Sequence, residues 1–366
     1  MRIIKTILAA LTVLMAAVAP AYAALVPPPG YYAAVGQKNK GASCPTPPPP
    51  FTDTLDFPSK YEGSGKSRDT LNEKSNLRYK MLAKQVSDME KGTSKLVDKY
   101  MDSGSPDALQ CVLNWYGSWA DAHALLAPSV NYTGKAVRKW ALASLSGAWL
   151  RLQFSKSQPL AAHADEASKI EAWLGQIADA VVPEWDIDSK KQKINNHFYW
   201  AGWAVMATSV VTDRRDLFDW SANIYGSFAN AATSDGFLPN ELARKTRALS
   251  YQNFAIAPVT MMAAFAKANG VDFASRGNDA LRRVAERTVQ GADNPQIFQA
   301  QTGSQQVLKD FDGDGQRSKL AWLEPYCWTV GCDGAMARKL SSLRPMRYTR
   351  LGGDVTALFS GHPSLH

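Results

Sequence analysis

From Leu71 onward one pattern recurs: apolar residues at three- and four-residue spacings over about 20 positions, then a short break at proline, glycine or a polar cluster. Pro106 opens a segment holding Cys111, Trp115 and Trp119, and Pro128 closes it. Lys135 to Phe154 carries Val137, Trp140, Ala141, Leu145, Ala148, Trp149 and Leu152 at helical spacing, and His163 to Val182 repeats this before Pro183. Ser189 to about Val210, Asp213 to Ala232, Tyr251 to Asn269 closed by Gly270, and Asp279 to Gln290 follow. No stretch alternates apolar and polar residues long enough for a sheet. Long helices joined by short turns pack as antiparallel hairpins. Seven or more in one exported domain form either an open solenoid or a closed α/α toroid, and the lack of a fixed-period repeat disfavours the solenoid.

The chain begins with a targeting pattern: Arg2 and Lys5, an apolar run from Ile7 to Val18, and Ala21-Tyr22-Ala23 as a cleavage site. The run falls short of the roughly 18 apolar residues a spanning helix needs, and no later stretch approaches that length. The expectation is a signal peptide over residues 1–23 and one exported domain over 24–366, with no membrane span. The formal charge of +8 becomes +6 once Arg2 and Lys5 are removed. That excess suits a polyanionic partner; export and the absence of an arginine-rich block or RNA-binding fingerprint argue against nucleic acid.

Four cysteines suit an oxidising compartment. Cys327 and Cys332 close a short loop, leaving Cys44 for Cys111, although sequence alone permits three pairings. With no CxxC and no histidine near any of the four, a metal site is not expected. Residues 24–57 carry Pro27-Pro28-Pro29 and a proline run from Pro45 to Pro50; the arm is expected to be non-helical and to lie extended over the surface. Ser59 to Thr70, small, polar and basic with two glycines, reads as an ordinary surface loop or, more sharply, as a lid over a cleft.

Two stretches concentrate the chemistry. In Asn195-Asn196-His197-Phe198-Tyr199-Trp200, Asn196, Trp200 and Trp203 share one helical face with His197 beside them. Downstream, Arg244, Arg247 and Tyr251 fall in one narrow arc if their segment is helical. An amide, an imidazole, a guanidinium and a phenol beside aromatic rings suit an anionic sugar, and several of the eleven tryptophans are expected to line a groove. Cleaving a polyuronate without water requires removing the C5 proton beside a carboxylate, which builds further negative charge onto that group. Asn196 and Arg244 can neutralise it. Tyr251 can act as base only if its pKa falls from about 10, and Arg244 and His197 are neighbours able to lower it. Without such company a helix-borne histidine, a second arginine or a buried tyrosine is ordinarily structural; His123 and His163 are read that way.

The run NNHFYW, then PNELARKTRALSY with its tyrosine 54 residues after the histidine, and the Ala/Met-rich segment ending at ANG resemble the mannuronate-specific alginate lyases of polysaccharide lyase family 5. Matching stretches occur at Cys44 with its proline run, SKYEGS (Ser59 to Ser64), AWLEPYC (Ala321 to Cys327) and LGGDVTALF (Leu351 to Phe359), so the likeness spans the mature chain. It implies an all-α fold, an incomplete (α/α) toroid with a deep cleft. It implies that Asn196 and Arg244 neutralise the uronate carboxylate, and that Tyr251 moves the proton with His197 assisting or acting as base. Trp200 would line the sugar groove, Arg247 would add to substrate binding, and Lys60 and Tyr61 would stand on the lid. No cofactor or metal is implied. The setting implied is the periplasm of an alginate producer, acting on mannuronate-rich polymer stranded by failed export, as a monomer with association with an export complex left open. Relatives commonly read YHNY where this chain reads Tyr251-Gln252-Asn253-Phe254, which removes a hydroxyl at 254.

Two further patterns carry less. Asp310 to Gly315 copies the first half of a calcium loop, but the twelfth position is Ala321 rather than glutamate. Asn131-Tyr132-Thr133 matches a glycosylation acceptor by chance. Two other functional classes remain open at this level: an inverting α/α-toroid glycoside hydrolase, which needs two carboxylates flanking the bond, with Asp235 and Glu241 the nearest in sequence, and a non-catalytic polysaccharide-binding protein of an export complex.

Overall fold

The computed structural model describes residues 23–360 apart from 39–42, 188–192, 310, 312 and 314. The leader pattern, except for Ala23, and the acidic positions of the calcium-like loop thus lie outside the described residues.

The helices are α1 (Glu73–Leu82), α2 (Lys84–Ser103), α3 (Pro106–Asp121), α4 (Tyr132–Gln153), α5 (Ala164–Glu184), α6 (Asn196–Val211), α7 (Arg215–Ala231), the short α8 (Pro239–Leu242), α9 (Ala248–Ala268), α10 (Arg276–Asp293), α11 (Gln296–Thr302), α12 (Gly315–Lys319), α13 (Leu323–Val330), α14 (Gly334–Leu343) and α15 (Val355–Phe359). The pair β1 (Arg347–Tyr348) and β2 (Gly353–Asp354) is antiparallel and two residues long. Boundaries follow local chemistry. Gly104 ends α2 in the left-handed region (φ 65°) and Pro106 restarts the chain as α3. The Asn131 side chain accepts from Gly134 N to cap α4, and Asn195 accepts from His197 N to cap α6. The helix expected from Ser189 therefore starts at Asn196.

Composition sorts the helices into two layers. α6 and α9 are apolar nearly all round, α4 is buried nearly all round, and every residue of α6 except His197 is buried. Consecutive inner helices α2, α4, α6, α9 and α13 are neighbours, and α3, α5, α7 and α10 back α2, α4, α6 and α9 as their hairpin partners. The result is the expected α/α toroid. At Gly202, where α6 meets α7 and α9, an added Cβ would lie 2.7 Å from Met262 Sδ and 2.8 Å from Ile224 Cγ2. The carboxy-terminal turn Thr349–Leu351 packs on α2, α4 and α9, and Trp203 Nε1 donates to Arg350 O (2.8 Å).

The amino-terminal arm differs from the expected surface strap. Leu25, Tyr31, Phe51, Leu55 and Phe57 are buried in the main core, and Pro29–Tyr32 form one turn of 3-10 helix against α15 and α4. Proline supplies carbonyls without N–H groups, and two indoles use them: Trp115 Nε1 donates to Pro45 O and Trp119 Nε1 to Pro48 O, each at 2.9 Å. Cys44–Cys111 ties the same run to α3, and Cys327–Cys332 closes the end of α13. Among the described residues no helix is long and apolar enough to cross a membrane.

Candidate active site

A cleft of about 550 Å³ opens at the amino-terminal end of α6. Because Asn195 caps that helix, Asn196 and His197 occupy its first turn at the cleft wall. Asn196 is held from behind. Its backbone N–H donates to Glu241 Oε1 (2.6 Å) and its Nδ2 to Glu241 Oε2 (2.8 Å), while Asn240 Nδ2 donates to Ile194 O (2.7 Å). Glu241, on α8, is 1% exposed. Burial pushes its carboxyl up to about 7, against the pull of the two Asn196 hydrogen bonds and of Arg244.

Arg244, Arg247 and Tyr251 do come together, but not on one helix. α8 ends at Leu242, Lys245 sits at φ 46°, Lys245–Arg247 make a 3-10 turn, and α9 starts only at Ala248. The turn folds Arg244 back over the tyrosine, placing Cζ 3.5 Å from the Tyr251 ring centroid. The 59–70 segment crosses the same groups. Arg244 Nη2 donates to Arg68 O, Arg247 Nε to Asp69 O (2.7 Å), and Tyr251 Oη to Tyr61 Oη (3.0 Å). Arg244 Nε is buried with no partner among the described residues. Lys60 Nζ lies 4.2 Å from the Tyr79 ring centroid, and burial, then Arg350, brings its pKa down to about 8.

The expected lowering of Tyr251 is absent. Burial raises its hydroxyl well above the ordinary range, with Arg244 opposing. His197 cannot help as a cation, because burial, then Lys139 and the arginines, hold its pKa well below the usual value. Trp200 also departs from expectation. It is 0% exposed, its Nε1 donates to Phe254 O (3.0 Å), and it does not reach the cleft. One turn into α6 the helix already faces α9, so the aromatic wall is made by Trp140, Tyr132 and Phe254 instead. Five other tryptophans tell the same story: Trp119, Trp149, Trp185, Trp203 and Trp322 are fully buried packing residues.

Two residues escaped the sequence reading. From sequence Glu241 reads only as a candidate hydrolytic acid, and no local pattern signals that it is buried behind Asn196. Lys139, 0% exposed on α4, places Nζ 3.0 Å from His197 Nδ1 and 3.3 Å from the Trp185 ring centroid. A lysine inside an apolar helical stripe was the available signal. Among the described residues, eight lysines and arginines line the cleft and no aspartate or glutamate does: Lys66, Arg68, Lys193, Lys319 and Arg350 join Lys60, Arg244 and Arg247. No three described His, Cys, Asp or Glu side chains gather as a metal site.

The alginate lyase family model matches residues 56–298. An alginate lyase of Pseudomonas aeruginosa (strain LESB58) is 50% identical over 337 residues, covering 92% of this chain and 91% of that protein. One of Pseudomonas putida (strain GB-1) is 49% identical over 342 residues, covering 93% and 92%. Among solved structures, alginate lyase A1-III from Sphingomonas species A1 superposes with a TM-score of 0.70 at 22% identity over 90% of both chains. Alginate lyase A1-III complexed with a tetrasaccharide gives a TM-score of 0.72 at 22% identity over 87% of both. Sequence and fold agree, and this chain belongs to the alginate lyase family.

Proposed function

We propose that this protein cleaves β-1,4-linked mannuronate in alginate by β-elimination, leaving an unsaturated uronate at the new non-reducing end. The observation that carries the reading is the cleft's composition: many cations, no carboxylate among the described residues, and Asn196, His197, Arg244 and Tyr251 at one wall. The Pseudomonas alginate lyases at about half identity support the substrate.

The chemistry follows from the groups present. The uronate carboxylate meets the Arg244 guanidinium, whose Nε is unpartnered, and the Asn196 Nδ2 hydrogen that Glu241 does not take. Neutralising the carboxylate lowers the cost of breaking the C5–H bond. The electron pair of that bond forms the C4=C5 double bond, the C4–O4 bond breaks, and O4 leaves with a proton; no water is consumed. Tyr251 acts as the phenolate: it takes the C5 proton to become the phenol and gives that proton to O4, which mannuronate permits because both lie on the same side of the sugar. Burial opposes this ionisation, so it depends on the cations around the ring. Arg244 over the ring is the group that favours its phenolate. Lys60, Tyr61 and Arg247 hold neighbouring sugars under the 59–70 segment, which acts as a lid over bound polymer. Export by a leader over residues 1–23 would put a single 24–366 domain in the periplasm, clearing stranded polymer, as a monomer.

A glycoside hydrolase of the same architecture needs two carboxylates across the bond. Glu241 is buried behind Asn196 and Asp235 is absent from the described cleft wall, so that reading finds no support. Ultraviolet absorbance on mannuronate-rich and guluronate-rich alginate tests the proposal. A conjugated product forming faster on the mannuronate-rich polymer is expected. Saturated ends only would mean hydrolysis, binding without product would mean a carrier, and a guluronate preference would overturn the specificity.

A further inference from the structure

Lys139 has no step in the elimination above, yet it occupies the position behind the histidine of the cleft. Midway along α4 its side chain is wholly buried, and the hydrogen bond to His197 Nδ1 is the one its nitrogen makes among the described residues. Its nearest other neighbours are ring faces, Trp185 at 3.3 Å and Trp140 at 5.4 Å from the centroids; Arg350 and Glu184 act on it from beyond contact, and Glu184 is itself paired with Arg138. Burying an ammonium without a carboxylate is costly, and an apolar residue of the same length would ordinarily be neutral or stabilising there. Packing therefore does not account for it.

The histidine is equally constrained. Its ring stacks on Trp185 (5.7 Å, 4° between planes) and meets Tyr132 and Trp140 at 4.9 and 5.5 Å. With Nδ1 engaged inside the protein, Nε2 is the nitrogen left for the cleft that His197 lines. A lysine ammonium only donates, and against it Nδ1 is the acceptor and the ring proton sits on Nε2; a neutral amine could also accept from an Nδ1–H, so the tautomer is the quantity the experiment must read. We propose that Lys139 is a positioning residue that holds His197 as the Nε2-protonated tautomer, with that N–H turned to the cleft as a donor to the uronate. This rests on the elimination reading. It gives His197 the task of binding negative charge and leaves proton transfer to Tyr251. The charged groups that act on His197 agree: Lys139 from α4, Arg244 after α8, Arg68 from the 59–70 segment and Arg350 between β1 and β2 are all cations, and they oppose an imidazolium. The nearby acid Glu241 is taken up by Asn196.

The test is the ring ¹⁵N spectrum of histidine-labelled protein, in which His197 is one of five histidines and is assigned by its loss in His197→Gln. In the wild type the Nε2–H pattern is expected at neutral pH, with no titration near the ordinary value of about 6.5. Lys139→Met should bring in the Nδ1–H form, raise the titration midpoint, and lower kcat by about tenfold or more with KM little changed. An Nδ1–H or charged His197 in the wild type overturns the proposal. So does Lys139→Met with an unchanged tautomer, or with a changed tautomer and wild-type kcat. If Lys139→Met does not fold, the wild-type spectrum alone decides. The spectrum needs no turnover, so absence of an unsaturated product would sink the elimination reading while leaving the tautomer assignment standing.

Discussion

Glu241→Gln isolates what a buried carboxylate does behind the site. Ionised, Glu241 only accepts, so the backbone N–H and Nδ2 of Asn196 both donate to it, which leaves the second amide hydrogen free for a ligand in the cleft that Asn196 lines. A glutamine, like a protonated glutamate, presents a donor there, and the Asn196 amide can then turn its oxygen toward the uronate. The loss ranges from about 1.4 kcal/mol, the charge on one buried hydrogen bond, to about 3 kcal/mol for a lost oxyanion donor, or roughly tenfold to hundredfold in kcat/KM. Because Gln mimics the protonated acid, the ratio of wild-type to variant kcat/KM should be near one well below pH 7, bend at about 7, and reach its plateau above. Stability should move the other way. The folded pKa lies above the ordinary 4.5, so the stability Glu241 contributes is full below 4.5 and is lost as pH rises through about 7. At about 1.4 kcal/mol per pK unit the loss is about 3 kcal/mol. Glu241→Gln should therefore gain on the wild type in urea unfolding across that window. Product absorbance and urea titrations from pH 5 to 9 measure both. A ratio independent of pH, or within twofold of one at pH 8.5, would refute the reasoning.

Three further outcomes are expected. Tyr251→Phe should keep fold and polymer binding while abolishing turnover, because it deletes only the hydroxyl beneath Arg244; activity near wild type would remove Tyr251 from the mechanism. Opening Cys44–Cys111, which spans 67 residues, by paired serine substitution should lower unfolding free energy by about 2–5 kcal/mol, and equal urea midpoints would contradict this. Trp200→Ala should cost about 3–5 kcal/mol of stability with KM unchanged in the folded fraction, since the ring is core; a raised KM at wild-type stability would restore it to the sugar groove.

The sequence by itself determined the architecture and the cast of the site. Apolar spacing records which face of a helix must leave water, so the long helices and their proline and glycine ends were legible without coordinates. The motifs around Asn196, His197, Arg244 and Tyr251 identified residues that the fold does gather at one cleft. What periodicity cannot encode is which element covers a face, and there the tertiary structure decided. Trp200 and Trp140 are both aromatic residues on apolar helices; only the position of α9 makes one core and the other wall. Arg244 reaches Tyr251 through a left-handed Lys245 and a 3-10 turn rather than a shared helical face. The arm buries Leu25, Tyr31 and Phe57, and indoles of α3 donate to the carbonyls of its proline run. The protonation states of Tyr251, Glu241, His197 and Lys139 follow from depth within the toroid, a property set by helices far apart in sequence, and desolvation at that depth outweighs the neighbouring charges that the motif alone displays.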